Sequence, residues 1–159
     1  MPNKLLIWSL LVACAGACQF ASQTARAQDS PKKVAALIGT WRVVFDRPPG
    51  PPGVALVTFT SDGTSVRTTD KSPVMSASHG AWVQLNEYQF QATWHAFQFD
   101  EKGNYIGNQK ASFRVDFDQD INKFSGMAKG TAYALDGTLR GTIIGPFQGT
   151  RVVVEPYVD

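Results

Sequence analysis

Residues 37–45 read LIGTWRVVF, and the prediction of the fold starts from this stretch. An apolar approach leads to Gly39, and Trp41 follows two positions later. Trp41, Val43 and Phe45 then share one face of an alternating run. Alternation of apolar and polar residues with a period of two is typical of a half-buried β-strand. The stretch therefore predicts a strand that begins at a glycine and buries a tryptophan.

The same period of two continues downstream, in short runs separated by turn signals. Ser61-Asp62-Gly63 is a strong hairpin signal, because glycine tolerates the positive φ that such a turn requires. Further turns are expected at residues 86–87, 100–104, 118–122, 136–137 and 145–149, and irregular loops at 47–53 and 69–78. Strands joined by short turns pair antiparallel, and closure of the meander removes its exposed edges. The predicted fold class is all-β, a single up-and-down antiparallel β-barrel of about eight to nine strands.

Two of the predicted strands have unusually regular faces. One face of the sixth strand is apolar and the other polar; the apolar residues are Ala111, Phe113, Val115 and Phe117. The seventh strand places only small residues on one face, namely Gly126, Ala128, Gly130, Ala132 and Ala134. A row of small residues leaves space for sharp curvature of the barrel or for a cavity. Both interpretations stay open from the sequence.

Gly39-x-Trp41 at the start of a meander and Gly149-Thr150-Arg151 near its end resemble the lipocalin-like (calycin-type) group of small β-barrels. The resemblance covers residues 34–156 and implies a barrel that binds a small apolar molecule in its lumen. It also implies that Trp41 plugs the closed end, while Arg151 enters the last strand and packs across the indole. A guanidinium over an indole face is favourable by about 0.5–2 kcal/mol.

Residues 1–27 have the layout of a secretory signal peptide. Lys4 supplies the positive charge, residues 5–18 form an apolar core, and Ala25 and Ala27 fit a cleavage site before Gln28. The apolar core is shorter than the ~20 residues that cross a bilayer as a helix, so no membrane span is expected. A polar lead-in over residues 28–33 and a barrel domain over 34–159 then follow, in a protein that is secreted or periplasmic.

An alternative processing route lies inside the same segment. Leu11-Val12-Ala13-Cys14 resembles the lipobox of bacterial lipoproteins, which would leave a lipid anchor at Cys14. Cleavage before Gln28 would instead remove Cys14 and Cys18, the two cysteines of the chain. It would also remove two of the 15 basic residues and leave as many as the 13 acidic ones. A formally neutral domain without a basic patch gives no support to nucleic-acid binding.

The proposed ligand is a small apolar molecule, which requires an apolar pocket above about 300 Å³. Six aromatic residues are the candidates to wall such a pocket: Trp82, Tyr88, Phe90, Trp94, Phe113 and Phe117. The same residues are equally suited to fill the core. No cofactor site is predicted, because the sequence contains neither a phosphate loop nor a dinucleotide fingerprint. No metal site is predicted either, since DFDQDINKF lacks the central Gly and terminal Glu of a calcium loop.

The weak catalytic candidates are His79 and His95. His79 is expected just before a strand at the barrel rim, and His95 on a polar face directed to solvent. In the alternative, Gln91, Thr93 and His95 line the lumen of a cofactor-free cyclase or isomerase of the allene oxide cyclase-like kind, acting on an apolar substrate. The sequence favours a binding protein over that enzyme. An envelope-anchored structural barrel is the third alternative.

Overall fold

In a computed structural model, residues 36–46, 50–71, 73–117 and 120–157 are described. They form a closed barrel in which each strand is antiparallel to the next and the eighth pairs with the first. The strands are β1 Gly39–Phe45, β2 Gly53–Phe59, β3 Thr64–Thr69, β4 Ser78–Gln84, β5 Gln89–Phe99, β6 Tyr105–Phe117, β7 Lys123–Ala134 and β8 Leu139–Arg151. The predicted all-β, up-and-down antiparallel barrel is confirmed. The signal peptide, the lead-in over 28–33 and Cys14 lie outside the described residues.

Aromatic residues fill the closed end of the barrel, where β1 begins. Trp41 contacts Phe117 and Phe124 at ring-centroid distances of 5.6 and 4.6 Å. Phe117 in turn contacts Phe90, and Phe90 contacts Trp82. The Trp41 Nε1–H donates to the carbonyl oxygen of Leu37 at 2.8 Å, in the turn that precedes β1. This end of the barrel is therefore a packed core.

The barrel has eight strands because β8 runs without interruption through residues 145–149. The prediction of a turn there is wrong, and the number of strands lies at the lower end of the predicted eight to nine. The carbonyl oxygen of Pro146 accepts a bond from Asp46 N–H, on the side facing β1. The pairing of β1 with β8 ends at the adjacent pair of residues, Phe45 and Phe147. Proline therefore occupies a position whose missing N–H removes no bond to β7.

Arg151 is the last residue of β8, and does not enter the last strand as the resemblance implied. It lies opposite Trp41 in the register of β1 with β8. His79 likewise lies within β4 and not before it. Among the described residues, no helix is long and apolar enough to cross a membrane.

Candidate functional site

The open half of the barrel contains a cavity of about 120 Å³ below a wider mouth of about 440 Å³. The two spaces adjoin each other, since Lys71, Met75, Gln109, Gly130 and Ile143 line both. The inner cavity alone is smaller than the ≈ 300 Å³ expected of a ligand site, whereas the mouth exceeds that size. A ligand in this site would extend from the interior into the mouth.

The row of small residues on β7 provides both curvature and space, at different heights. A Cβ at Gly126 would lie 2.6 Å from Cζ of Phe147, so this end of the row is a close approach. Farther along the strand, Ala128 and Gly130 line the inner cavity. A Cβ at Gly130 would meet nothing closer than Gln109 Nε2 at 3.6 Å. The cavity therefore exists because these positions carry almost no side chain.

Arg67 lies at the bottom of this cavity, with a side chain that is 7 % exposed. Its position follows from the turn that joins β2 to β3. Gly63 has a φ of +83°, and Thr60 N–H donates to the carbonyl oxygen of Thr64 across a three-residue loop. The resulting register places Arg67 opposite the buried Val57. Residues opposite one another in a sheet point to the same face, so Arg67 points into the lumen.

Neutral partners hold the Arg67 side chain across the lumen. Its Nε–H and an Nη2–H donate to Oγ of Ser78, at 3.2 and 3.1 Å. Nη2 also donates to Oε1 of Gln109, at 3.3 Å, and contacts Sδ of Met75 at 3.7 Å. The guanidinium carbon lies 5.5 Å from the Trp94 ring centroid and 5.7 Å from that of Phe113. These contacts fix the position of a cation without neutralising it.

The charge of Arg67 has no counterion among the described residues. The ion pairs formed there join Arg114 to Asp116 and Lys123 to Asp120, both on the surface. Burial lowers the pKa of Arg67 to about 10, so the group is still charged at neutral pH. A buried charge without an opposite charge is unfavourable unless something else compensates it. Arg67 is therefore a buried positive charge that the described residues leave uncompensated.

The six predicted ligand-binding aromatics are divided between the two halves of the barrel. Phe113 lines the inner cavity, and Trp94 lines a small void of about 20 Å³ directly below it. Trp82, Phe90 and Phe117 pack into the closed half, where they contact one another through their rings. The sixth, an exposed residue in the bend before β5, is Tyr88. Two of the six thus adjoin Arg67.

Both histidines lie on the outer surface of the barrel. His79 and His95 are opposite each other in the register of β4 with β5, and both are exposed. The alternative in which Gln91, Thr93 and His95 line the lumen is wrong. The buried residues of β5 are the other set of alternate positions, namely Phe90, Ala92, Trp94 and Ala96. In the part of the chain that the structure describes, no three His, Cys, Asp or Glu residues are grouped to hold a metal ion.

The sequence pattern does not identify Arg67 as a site residue, because the hydrophobicity of β3 predicts that the opposite face of the strand is buried. In TSVRTT the natural inward candidate is Val66, yet Val66 is 41 % exposed and Arg67 is buried. The turn before β3 indicates correctly which face of the strand is buried. A three-residue loop at Ser61-Asp62-Gly63 pairs Thr60 with Thr64, and counting onward places Arg67 beside Val57.

The chain matches no protein-family model, no curated protein and no solved structure. Its closed eight-stranded barrel is established by the strand pairing described above. Its relationship to the lipocalin-like group stays a prediction from the residues.

Proposed function

We propose that the protein is a lipocalin-like binding protein that holds a small, largely apolar molecule in the open half of its lumen. The observation that carries this proposal is the cavity in the open half of the barrel, together with the wider mouth that adjoins it. Eight-stranded barrels have room for one small ligand when their interior is not filled by side chains. The packing supports a barrel that is filled in one half and open in the other. A core of aromatic rings occupies one end, and small residues line the other.

The apolar character of the ligand is supported by the walls of the site. Phe113, Ala111 and Ala128 line the inner cavity, and Ile143 lines both cavity and mouth. Ile143 is 66 % exposed although it is directed towards the lumen. A ligand that covered this side chain would remove apolar surface from water, at about 25 cal/mol per Å².

A binding role is favoured over the cofactor-free enzyme by the titratable groups of the interior. Proton transfer to a substrate requires an acid or base within hydrogen-bond reach of the substrate. Three titratable residues line the inner cavity, Asp46, Arg67 and Lys71. Asp46 and Lys71 are exposed to solvent, whereas Arg67 is buried and its charged form persists at neutral pH. The two histidines are directed away from the lumen.

Secretion or a periplasmic location belongs to the same proposal, on the basis of the signal-peptide pattern in residues 1–27. Membership of the lipocalin-like group is supported by the closed barrel and by the contact between Trp41 and Arg151. The lipid anchor at Cys14 is the alternative, and it would favour an envelope-associated structural barrel.

Native mass spectrometry of the protein purified gently from its own envelope fraction tests these proposals together. We expect a mass that begins at Gln28, with a second species heavier by one small molecule. Denaturing the same sample should remove the added mass. A mass that begins at an acylated Cys14 with nothing bound would contradict both the soluble location and the carrier role.

A further inference from the structure

We propose that Arg67 receives the carboxylate of an amphipathic organic acid, whose apolar chain then occupies the open half of the lumen. This inference rests on the proposed function and specifies its ligand class. It is carried by the position of Arg67 at the bottom of the cavity and by the absence of a described carboxylate beside it.

The hydrogen bonds of Arg67 leave donors for such a ligand. A guanidinium has five N–H donors and no acceptor. The bonds to Ser78 and Gln109 use Nε and Nη2, and Nη1 makes no hydrogen bond to any described residue. Hydrogen bonds between charged groups are shorter and about twice as strong as those between neutral ones. A carboxylate would therefore supply an acceptor for Nη1 and a negative charge, which the neutral partners do not provide.

The surroundings of Arg67 also favour an anion whose remainder is apolar. Rings of Trp94 and Phe113 flank the guanidinium on the protein side. At the mouth, the charged residues Lys71 and Arg140 line the wider space, and Asp46 lines the inner cavity. Cations therefore outnumber anions along the described path. A cleft lined mostly by one sign of charge attracts ligands of the opposite sign.

The size of the inner cavity favours a carboxylate on a slender chain. Its volume of about 120 Å³ is well below the ≈ 300 Å³ at which pockets for drug-sized ligands begin. A carboxylate with a few methylene groups matches this space, and the rest of a chain would continue past Gly130 and Ile143 into the mouth.

The test compares decanoate with 1-decanol, which share a ten-carbon chain and differ in the head group. Both are titrated by calorimetry into the exported, processed protein at neutral pH. We expect decanoate to bind about tenfold more tightly, since a charge-assisted hydrogen bond is worth roughly one tenfold step or more in affinity. Lowering the pH until the ligand carboxyl is protonated should remove this preference.

Two variants locate the effect. In Arg67→Met the preference for decanoate should disappear, while 1-decanol still binds within about threefold of its original affinity. Arg114→Met is the matched control, because Arg114 lies on the outer face of β6 with an exposed side chain, and it should retain the full preference. If Arg67→Met fails to fold, equal affinity of the unaltered protein for the two ligands would still overturn the inference.

The outcomes separate this inference from the proposed function. Binding of both ligands with equal affinity, or an undiminished preference in Arg67→Met, would overturn the role of Arg67 and leave the carrier function standing. Absence of binding by decanoate, 1-decanol and the neutral probe N-phenyl-1-naphthylamine would overturn both.

Discussion

Trp41 and Arg151 lie opposite each other where β1 meets β8, with the guanidinium carbon 4.2 Å from the centroid of the indole. The same guanidinium donates to the carbonyl oxygens of Ile38, at 2.9 Å, and of Ala36. One side chain thus joins the last strand to the first strand and to the turn before it. Closure of the barrel at this end depends on contacts between residues far apart in the chain.

Replacement of Arg151 should weaken this closure. We expect Arg151→Met to lower the free energy of unfolding by about 2 kcal/mol, because it removes a cation–π contact and hydrogen bonds from a charged donor. Urea unfolding at equilibrium measures the change. Arg151→Lys keeps the charge but cannot reach two carbonyl oxygens in the same geometry, so an intermediate loss is expected. An unchanged midpoint in Arg151→Met would contradict the role assigned to the contact.

Gly39 should resist substitution for two separate reasons. Its φ is +126°, a region that side chains rarely adopt, and a Cβ would lie 2.9 Å from Nη1 of Arg151. We expect Gly39→Ala to lower the free energy of unfolding by roughly 1–3 kcal/mol. Gly141→Ala is the control, since a Cβ there meets nothing within 4 Å and no positive φ is required. Equal unfolding midpoints for the two variants would refute the account of Gly39.

Ser65 should contribute to stability through one buried hydrogen bond. Nε1–H of Trp94 donates to Oγ of Ser65 at 2.6 Å, and Ser65 is almost fully buried. In Ser65→Ala the indole N–H loses its partner, at an expected cost of about 1–3 kcal/mol. Ser125→Ala, on the exposed face of β7, should unfold at the same urea concentration as the unaltered protein. A cost at Ser65 no larger than that at Ser125 would argue against this bond.

Asp62 should make stability depend on pH in the acid range. Hydrogen bonds from Thr60 and Thr64 lower the pKa of Asp62 from 3.8 to about 2. Because the folded pKa lies below the unfolded one, the stabilisation is complete above 3.8 and is lost as the pH falls towards 2. Urea midpoints of the protein and of Asp62→Asn, measured across this range, should converge on acidification. Parallel curves would show that the turn does not stabilise the ionised carboxylate.

Much of the fold could be predicted because local patterns and the barrel agree. On β6, Ala111, Phe113 and Val115 are buried as their alternation predicts. The number of strands could not be read from the sequence at Pro146. Glycine and proline signal a turn in most contexts, and here the proline is tolerated only because β1 ends beside it.

The site was less predictable than the fold. Aromatic residues such as Phe90 and Trp82 are of the type that lines ligand pockets, yet they fill the closed half of the barrel. Which half of a barrel stays open depends on the sum of side-chain volumes at each level, and no single strand carries that information. Arg67 is the converse case, a polar residue that lines the cavity although its sequence pattern does not predict it. The register of β2 with β3, and not hydrophobicity, determines which face of β3 is buried.

Titration of the protein with N-phenyl-1-naphthylamine, a neutral apolar fluorophore, tests the binding site in the open half most directly. Gly130→Leu should fill the cavity with little clash, because a Cβ at Gly130 is no closer than 3.6 Å to any neighbour. Ser125→Leu adds the same side chain to the outer face of β7. We predict saturable binding that Gly130→Leu weakens by about tenfold or more and Ser125→Leu leaves unchanged. No saturable binding, or equal affinity in Gly130→Leu, would contradict the proposal that the lumen holds a ligand.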